Sequence, residues 1–197
     1  MARAFDETGT SATVWSIGNL SNWNTKSVTN MSGMFSNSGS GITSEWFVGD
    51  LSGWDTSKVT DMSWMFSRAA YKTSKFAIDL SKWDVSSVTT MYGMFNYCGY
   101  SASSWTLGDI SKWNVSNVTN MGMTFGWAGY SATSWYIGDI SIWNTANVTN
   151  MSRMFEYASK KSDNYLDLRS WNVSNVTSYS GFNSTATANI IAPKWVK

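Results

Sequence analysis

Residues 51–66, LSGWDTSKVTDMSWMF, decide the fold because they recur in phase along the chain. LSNWNTKSVTNMSGMF runs from Leu20, LSKWDVSSVTTMYGMF from Leu80, ISKWNVSNVTNMGMTF from Ile110 and ISIWNTANVTNMSRMF from Ile140, and a shortened sixth copy, LRSWNVSNVTSYSGF, runs from Leu168. The anchors Trp23, Trp54, Trp83, Trp113, Trp143 and Trp171 stand 31, 29, 30, 30 and 28 residues apart. A repeat of this length predicts a solenoid, in which each unit buries its apolar face only by stacking on its neighbours. The expected fold is leucine-rich-repeat-like: short parallel β-strands stacked over six rungs of about 30 residues, with short helical turns and loops.

Each unit has a part of constant length and an elastic part. The leading Leu or Ile and the closing Phe are 15 residues apart in the first five copies, whereas the connectors to the next copy vary between 13 and 16. Constant length reads as a register-locked rung and variable length as a loop. Within the rung, Val28-Thr29-Asn30-Met31 and its equivalents predict a short strand with Val and Met inward and the polar residues outward. Met31, Met34 and Phe35 follow at i, i+3 and i+4, the spacing of one helical turn laid on a core. Upstream, Trp15-x-Ile17-Gly18-Asn19-Leu20 and its equivalents predict a second strand closed by a tight bend at the glycine. Domain boundaries follow: 1–14 as an N-terminal segment, 15–182 as the six-repeat unit and 183–197 as a C-terminal cap. Arg3 to Thr13 is polar and is expected to cover its end of the stack poorly, whereas Ile190, Ile191 and Trp195 are expected to cover the other.

Composition narrows function by exclusion. The chain has 197 residues and no histidine, so neither a Ser-His-Asp nor a Cys-His arrangement can be assembled, and the commonest metal ligand is missing. Asp50, Asp79, Asp109 and Asp139 recur once per unit at a turn position, which favours turn stabilisation over acid–base catalysis. No unit carries the closely spaced carboxylates of a calcium loop. The reading is therefore a non-enzyme without cofactor or metal. Fourteen basic and 13 acidic residues leave a formal net charge of +1 with no basic stripe, which disfavours nucleic acid. No apolar window is long enough for membrane insertion, the N-terminal sequence lacks a signal-peptide core, and Cys98 has no partner for a disulfide.

The string LSxW[ND][TV]SxVTxMxxMF resembles the BspA-like surface-protein repeat of bacteria, a divergent relative of the leucine-rich repeats. The resemblance covers about five-sixths of the chain, although the connectors, such as GYSATSWYIGDIS at 129–141, are longer than the family's. It implies a leucine-rich-repeat-like solenoid, an extracellular or cell-surface location and a role in adhesion or recognition.

The candidate binding residues are the outward polar rows, Thr29 and Asn30, Thr60 and Asp61, Thr89, Thr119 and Asn120, Thr149 and Asn150. Trp64 and Trp127 break the repeat pattern and are the candidate exposed aromatics. The expected partner is a host protein or a glycan. End-to-end self-association into a filament and a phage fibre-type receptor-binding role are the alternatives. A ladder that stabilises the stack is the favoured reading of the threonine row over an ice-binding face.

Overall fold

The computed structural model describes residues 1–12, 15–185 and 189–195. Successive copies lie side by side in parallel. Asn30 pairs with Asp61, Asp61 with Thr90, Thr90 with Asn120, Asn120 with Asn150 and Asn150 with Ser178. Each partner is the equivalent residue of the next copy, so neighbouring rungs are held at the spacing of paired strands, about 4.8 Å. Only single-residue bridges form here, where the alternation at 28–31 predicts a strand; the chain bends away immediately on either side.

The upstream segment forms a sheet. β1 (Lys75–Ala77), β2 (Ser104–Thr106) and β3 (Ser134–Tyr136) pair in parallel with Phe76 opposite Trp105 and Trp105 opposite Trp135. The central residue of each strand is buried and its flanks are more exposed, the period-2 pattern of a half-buried strand. β4 (Leu166–Asp167) pairs in parallel with β5 (Ile190–Ile191). Phe47 pairs back to Ser16, and among the described residues no bridge carries the ladder on from Phe47 to β1. The third copy is one residue shorter there, Phe76-Ala77-Ile78-Asp79 against Trp46-Phe47-Val48-Gly49-Asp50. The slip leaves a pocket of about 260 Å³ between the two segments.

The helical turn expected at Met31, Met34 and Phe35 does not form. The only helical element among the described residues is a 3-10 turn at Ile140–Ile142, capped by Asp139. Residues 31–42 instead make overlapping turns in which alternate amides point in different directions. Met34, Ser36, Ser38 and Ser40 donate three residues back to Met31, Gly33, Phe35 and Asn37, while Met31, Gly33, Phe35 and Asn37 donate across to Asp61, Ser63, Met65 and Ser67 of the next copy. Left-handed backbone at Gly33, Asn37 and Gly39 interrupts any α-helix. Later copies place Trp64, Arg68, Tyr97, Met123, Trp127, Arg153 and Tyr157 in that same conformation. Left-handed backbone costs a residue with a Cβ roughly 1–2 kcal/mol. The cross-copy bonds of their amides hold that backbone in place, with Trp64 N–H bonding Tyr92 at 2.9 Å and Trp127 N–H bonding Glu156 at 2.7 Å.

The N-terminal segment is also different from the expectation. Residues 1–12 repeat the geometry of residues 31–42. Arg3, Phe5 and Glu7 donate to Ser32, Met34 and Ser36, and Arg3, Glu7 and Gly9 are left-handed at the positions of Gly33, Asn37 and Gly39. The segment is thus half a copy stacked on the first rung, with the Phe5 ring parallel to Phe35 at 5.6 Å.

The interior is a set of ring columns. Phe35, Phe66, Phe95, Phe125 and Phe155 stack at 5.2–5.6 Å. Beside them the anchor tryptophans from Trp54 to Trp171 are buried, with Trp113, Trp143 and Trp171 nearly parallel at 6.3 and 6.2 Å. Trp23 departs from its row at 41% exposure. Val59, Val88, Val118 and Val148 with Met62, Met91, Met121 and Met151 fill the space between. At the C-terminal end, Trp195 lies parallel to Tyr179 at 4.5 Å and edge-on to Phe182 at 5.1 Å. Residues 186–188 and 196–197 of the expected cap lie outside the described residues. Among the described residues no helix is long and apolar enough to cross a membrane.

Candidate functional site

The outward polar rows assemble as two adjacent lines along one edge of the stack. Thr29, Thr60, Thr89, Thr119 and Thr149 are exposed. Four of the five hydroxyls are nevertheless engaged: Thr60 Oγ1 donates to the Thr29 carbonyl at 3.2 Å, Thr89 to Thr60 at 3.1 Å, Thr119 to Thr89 at 3.2 Å and Thr149 to Thr119 at 3.1 Å. The neighbouring row spends its side-chain oxygens locally. Asn30, Asp61, Asn120 and Asn150 each accept the amide two residues on, at 2.8–3.1 Å. Such turns fix the chain direction after the bridge residue. The threonine row stitches copies together through its hydroxyl-to-carbonyl bonds, and the neighbouring row spends its side-chain oxygens on its own turns.

Two further rows work in the same way. Asn24, Asp55, Asp84, Asn114, Asn144 and Asn172 accept the amide two residues on, as do Asn19, Asp50, Asp79, Asp109, Asp139 and Asp167. The backbone and side-chain bonds from Ser52 hold the Asp50 carboxyl below the usual range, and those from Ser111 do the same for Asp109. Asp167 is lowered to about 2 by the Arg169 side chain, whose Nε lies 2.9 Å away, and by the Arg169 amide. Cys98 is fully buried, and burial pushes its thiol well up. The described residues hold no group of three or more Cys, Asp or Glu arranged to grip a metal ion.

The two irregular tryptophans have different surroundings. Trp64 is 36% exposed, and its six-membered ring fills the space a β-carbon at Gly93 would take. It meets Tyr92 edge-to-face at 5.0 Å. With Arg3, Asp6, Ser32, Gly33, Ser36 and Ser63 it lines an open pocket of about 440 Å³. Trp127 is not the exposed ring that the sequence suggests. It is half-buried, parallel to Tyr97 at 5.2 Å on one side and to Tyr157 at 3.8 Å on the other.

Trp127 belongs to a larger surface feature. Tyr71, Tyr100 and Tyr130 stack at 4.8 Å with interplanar angles of 5° and 2°. Tyr97, Trp127 and Tyr157 form a second column beside them, with lateral ring distances of 5.5–6.2 Å. All six rings are half-buried. Arg68 closes one end, 4.9 Å from the Tyr71 ring and 5.7 Å from Tyr97, and Lys160 stands 6.0 Å from Tyr157 at the other. Burial and the neighbouring Tyr71 raise the phenols of Tyr97 and Tyr100, so both stay protonated donors at neutral pH. The signal for this strip was present in sequence as the 29- and 30-residue spacing of Tyr71, Tyr100 and Tyr130. It falls in the connectors, where length variation hides periodicity.

No curated protein and no solved structure matches the chain. A family model described as "Mycoplasma protein of unknown function, DUF285" matches residues 1–126 and again residues 68–195. Two overlapping matches offset along one chain are what a repeat built from interchangeable units produces, and the chain belongs to this family.

Proposed function

We propose that this chain is a leucine-rich-repeat-like solenoid of the BspA-like kind, acting outside or on the surface of a bacterium as a non-enzymatic recognition module. The observation that carries this reading is the six-ring strip formed by Tyr71, Tyr97, Tyr100, Trp127, Tyr130 and Tyr157. Tyrosine and tryptophan are over-represented where interfaces draw most of their binding energy, because they present large rigid contact areas with polar tips. The threonine and asparagine rows support the fold in this reading, and the strip makes the contact.

The test is a binding screen of the chain against immobilised glycans and host matrix proteins, with Tyr100→Ser and Trp127→Ser run in parallel. A ligand whose binding falls at least about tenfold in both variants, with melting still cooperative, supports the reading. Ligands retained unchanged by both variants sink it. A second reading, end-to-end assembly, draws on Trp23, whose 41% exposure contrasts with 3–4% at Trp54, Trp83, Trp113, Trp143 and Trp171. Light scattering across a concentration series separates the two, since only assembly gives mass that grows with concentration.

A further inference from the structure

We propose that the exposed rim of the aromatic strip binds a linear acidic glycan. This inference rests on the strip being the contact surface and adds the chemistry of what it contacts.

The argument begins with ring orientation. Tyr100 is stacked between Tyr71 and Tyr130, and Trp127 between Tyr97 and Tyr157, all within 16° of parallel. Their faces are covered by one another, so the solvent meets ring edges. An aromatic ring is electron-rich on its face and electropositive at its edge. The polar groups these rings carry are five phenol O–H groups, each able to donate as well as accept, and one indole N–H, a donor only. Arg68 and Lys160 bound the strip over its two ends, and the exposed Lys72 and Lys161 follow Tyr71 and Lys160 in the chain. The carboxylate that bears on Tyr97, Glu156, is offset by Arg153 at 4.0 Å. Edges, donors and flanking cations all favour acceptors and negative charge.

Other polymers match less well. Single-stranded nucleic acid is gripped by stacking bases on free aromatic faces, and here both faces of the middle rings Tyr100 and Trp127 are occupied. An extended peptide binds by adding a strand to free backbone groups. The amides beneath the strip are already spent between copies, with Tyr97, Trp127 and Tyr157 donating to Gly126, Glu156 and Ser184, and Ser101 and Ser131 donating to Tyr71 and Tyr100. A neutral glycan would supply acceptors but make no use of the terminal cations. A glycan carrying carboxylates uses every group on the rim, and copies spaced at about 4.8 Å present those groups repeatedly along a line.

The experiment measures binding of the intact chain to polygalacturonate, with dextran, poly-L-glutamate and a single-stranded oligonucleotide alongside. The exposed-residue variants Arg68→Gln and Lys160→Gln, singly and together, keep the test independent of core folding. Polygalacturonate should bind, weaken steeply between low and physiological salt, and lose about tenfold or more in the double variant. Equal binding to dextran, stronger binding to poly-L-glutamate or the oligonucleotide, or indifference to the double variant overturns the inference. If polygalacturonate fails to bind while another ligand is lost in Tyr100→Ser and Trp127→Ser, the inference falls and the recognition reading stands. If those two variants change nothing, both fall.

Discussion

The indole N–H of Trp113 donates to the carbonyl of Leu80, 33 residues earlier, at 3.0 Å. The same bond recurs from Trp54 to Leu20, Trp83 to Leu51, Trp143 to Ile110 and Trp171 to Ile140, at 2.9–3.2 Å. The tryptophan at this position therefore fills the core and also fastens each copy to the one before it. Phenylalanine can do only the first. Trp113→Phe is expected to cost about 1 kcal/mol for the lost hydrogen bond. Trp113→Ala is expected to cost about 3–5 kcal/mol as a large core truncation. Equilibrium denaturation measures both, and a loss under about 1 kcal/mol for the alanine variant would contradict the buried placement.

The sheet tryptophans offer a sharper comparison. Trp105 Nε1 donates to the Cys98 carbonyl at 3.0 Å, whereas the buried Nε1 of Trp135 has no partner among the described residues. A buried donor without a partner costs about 1–3 kcal/mol. Trp135→Phe removes that donor along with some packing, so it should be close to neutral. Trp105→Phe removes a made bond and should destabilise by about 1 kcal/mol or more. Finding Trp135→Phe the more harmful of the two would show that its indole N–H is satisfied.

The period was legible because identical residues must occupy identical environments when copies stack, and the residues at Leu51, Trp54, Val59, Met62 and Phe66 are buried for that reason. The backbone between them was not. Met31, Met34 and Phe35 carry helical spacing, yet a ribbon whose alternate amides bond across copies also brings those three side chains to one side. The left-handed positions announce themselves as glycine at 33, 39, 93 and 99, but Trp64, Met123 and Arg153 stand at the site of Gly33 and Gly93, Ala70 and Ser159 stand at that of Gly39 and Gly99, and they blur the signal. Residues 1–12 are hidden because that half-copy lacks the tryptophan that marks the repeat. Its only mark in the sequence is that Met1, Phe5 and Gly9 stand 30 residues before Met31, Phe35 and Gly39. The strip is hard to read because the Tyr71 column spans only three copies, with Ser40 of the first and Lys160 of the fifth standing in line with Tyr71.

Size complementarity between neighbouring copies yields another expectation. Gly93 sits at φ +64°, and an added β-carbon would lie 2.4 Å from the Trp64 ring. Gly93→Ala therefore meets two costs, left-handed backbone at about 1–2 kcal/mol and a steric clash. In a Trp64→Ala background the clash disappears and the backbone cost stays. A double-mutant cycle should give a coupling of about 1–3 kcal/mol between the two positions. Additive effects would mean the ring moves aside freely.

Acid should destabilise the fold in a defined window. Arg169 lowers the Asp167 carboxyl to about 2, against about 3.9 in an unfolded chain. Asp50, Asp55 and Asp109 are lowered by hydrogen bonds from Ser52, Ser57 and Ser111. A carboxyl depressed in the folded state binds fewer protons than in the unfolded state, so its contribution is full above the unfolded value. That contribution drains away as pH falls through the folded value. With no histidine to titrate, the melting temperature should be nearly level between about pH 5 and 7 and decline from about pH 4 downward. Asp167→Asn lacks the titration at this site. Its deficit relative to the parent should be largest near pH 5 and shrink toward pH 2, because protonation removes from the parent what the substitution has already removed. A deficit that stays constant across that range would mean Asp167 acts through its shape and turn hydrogen bond, with its charge contributing nothing.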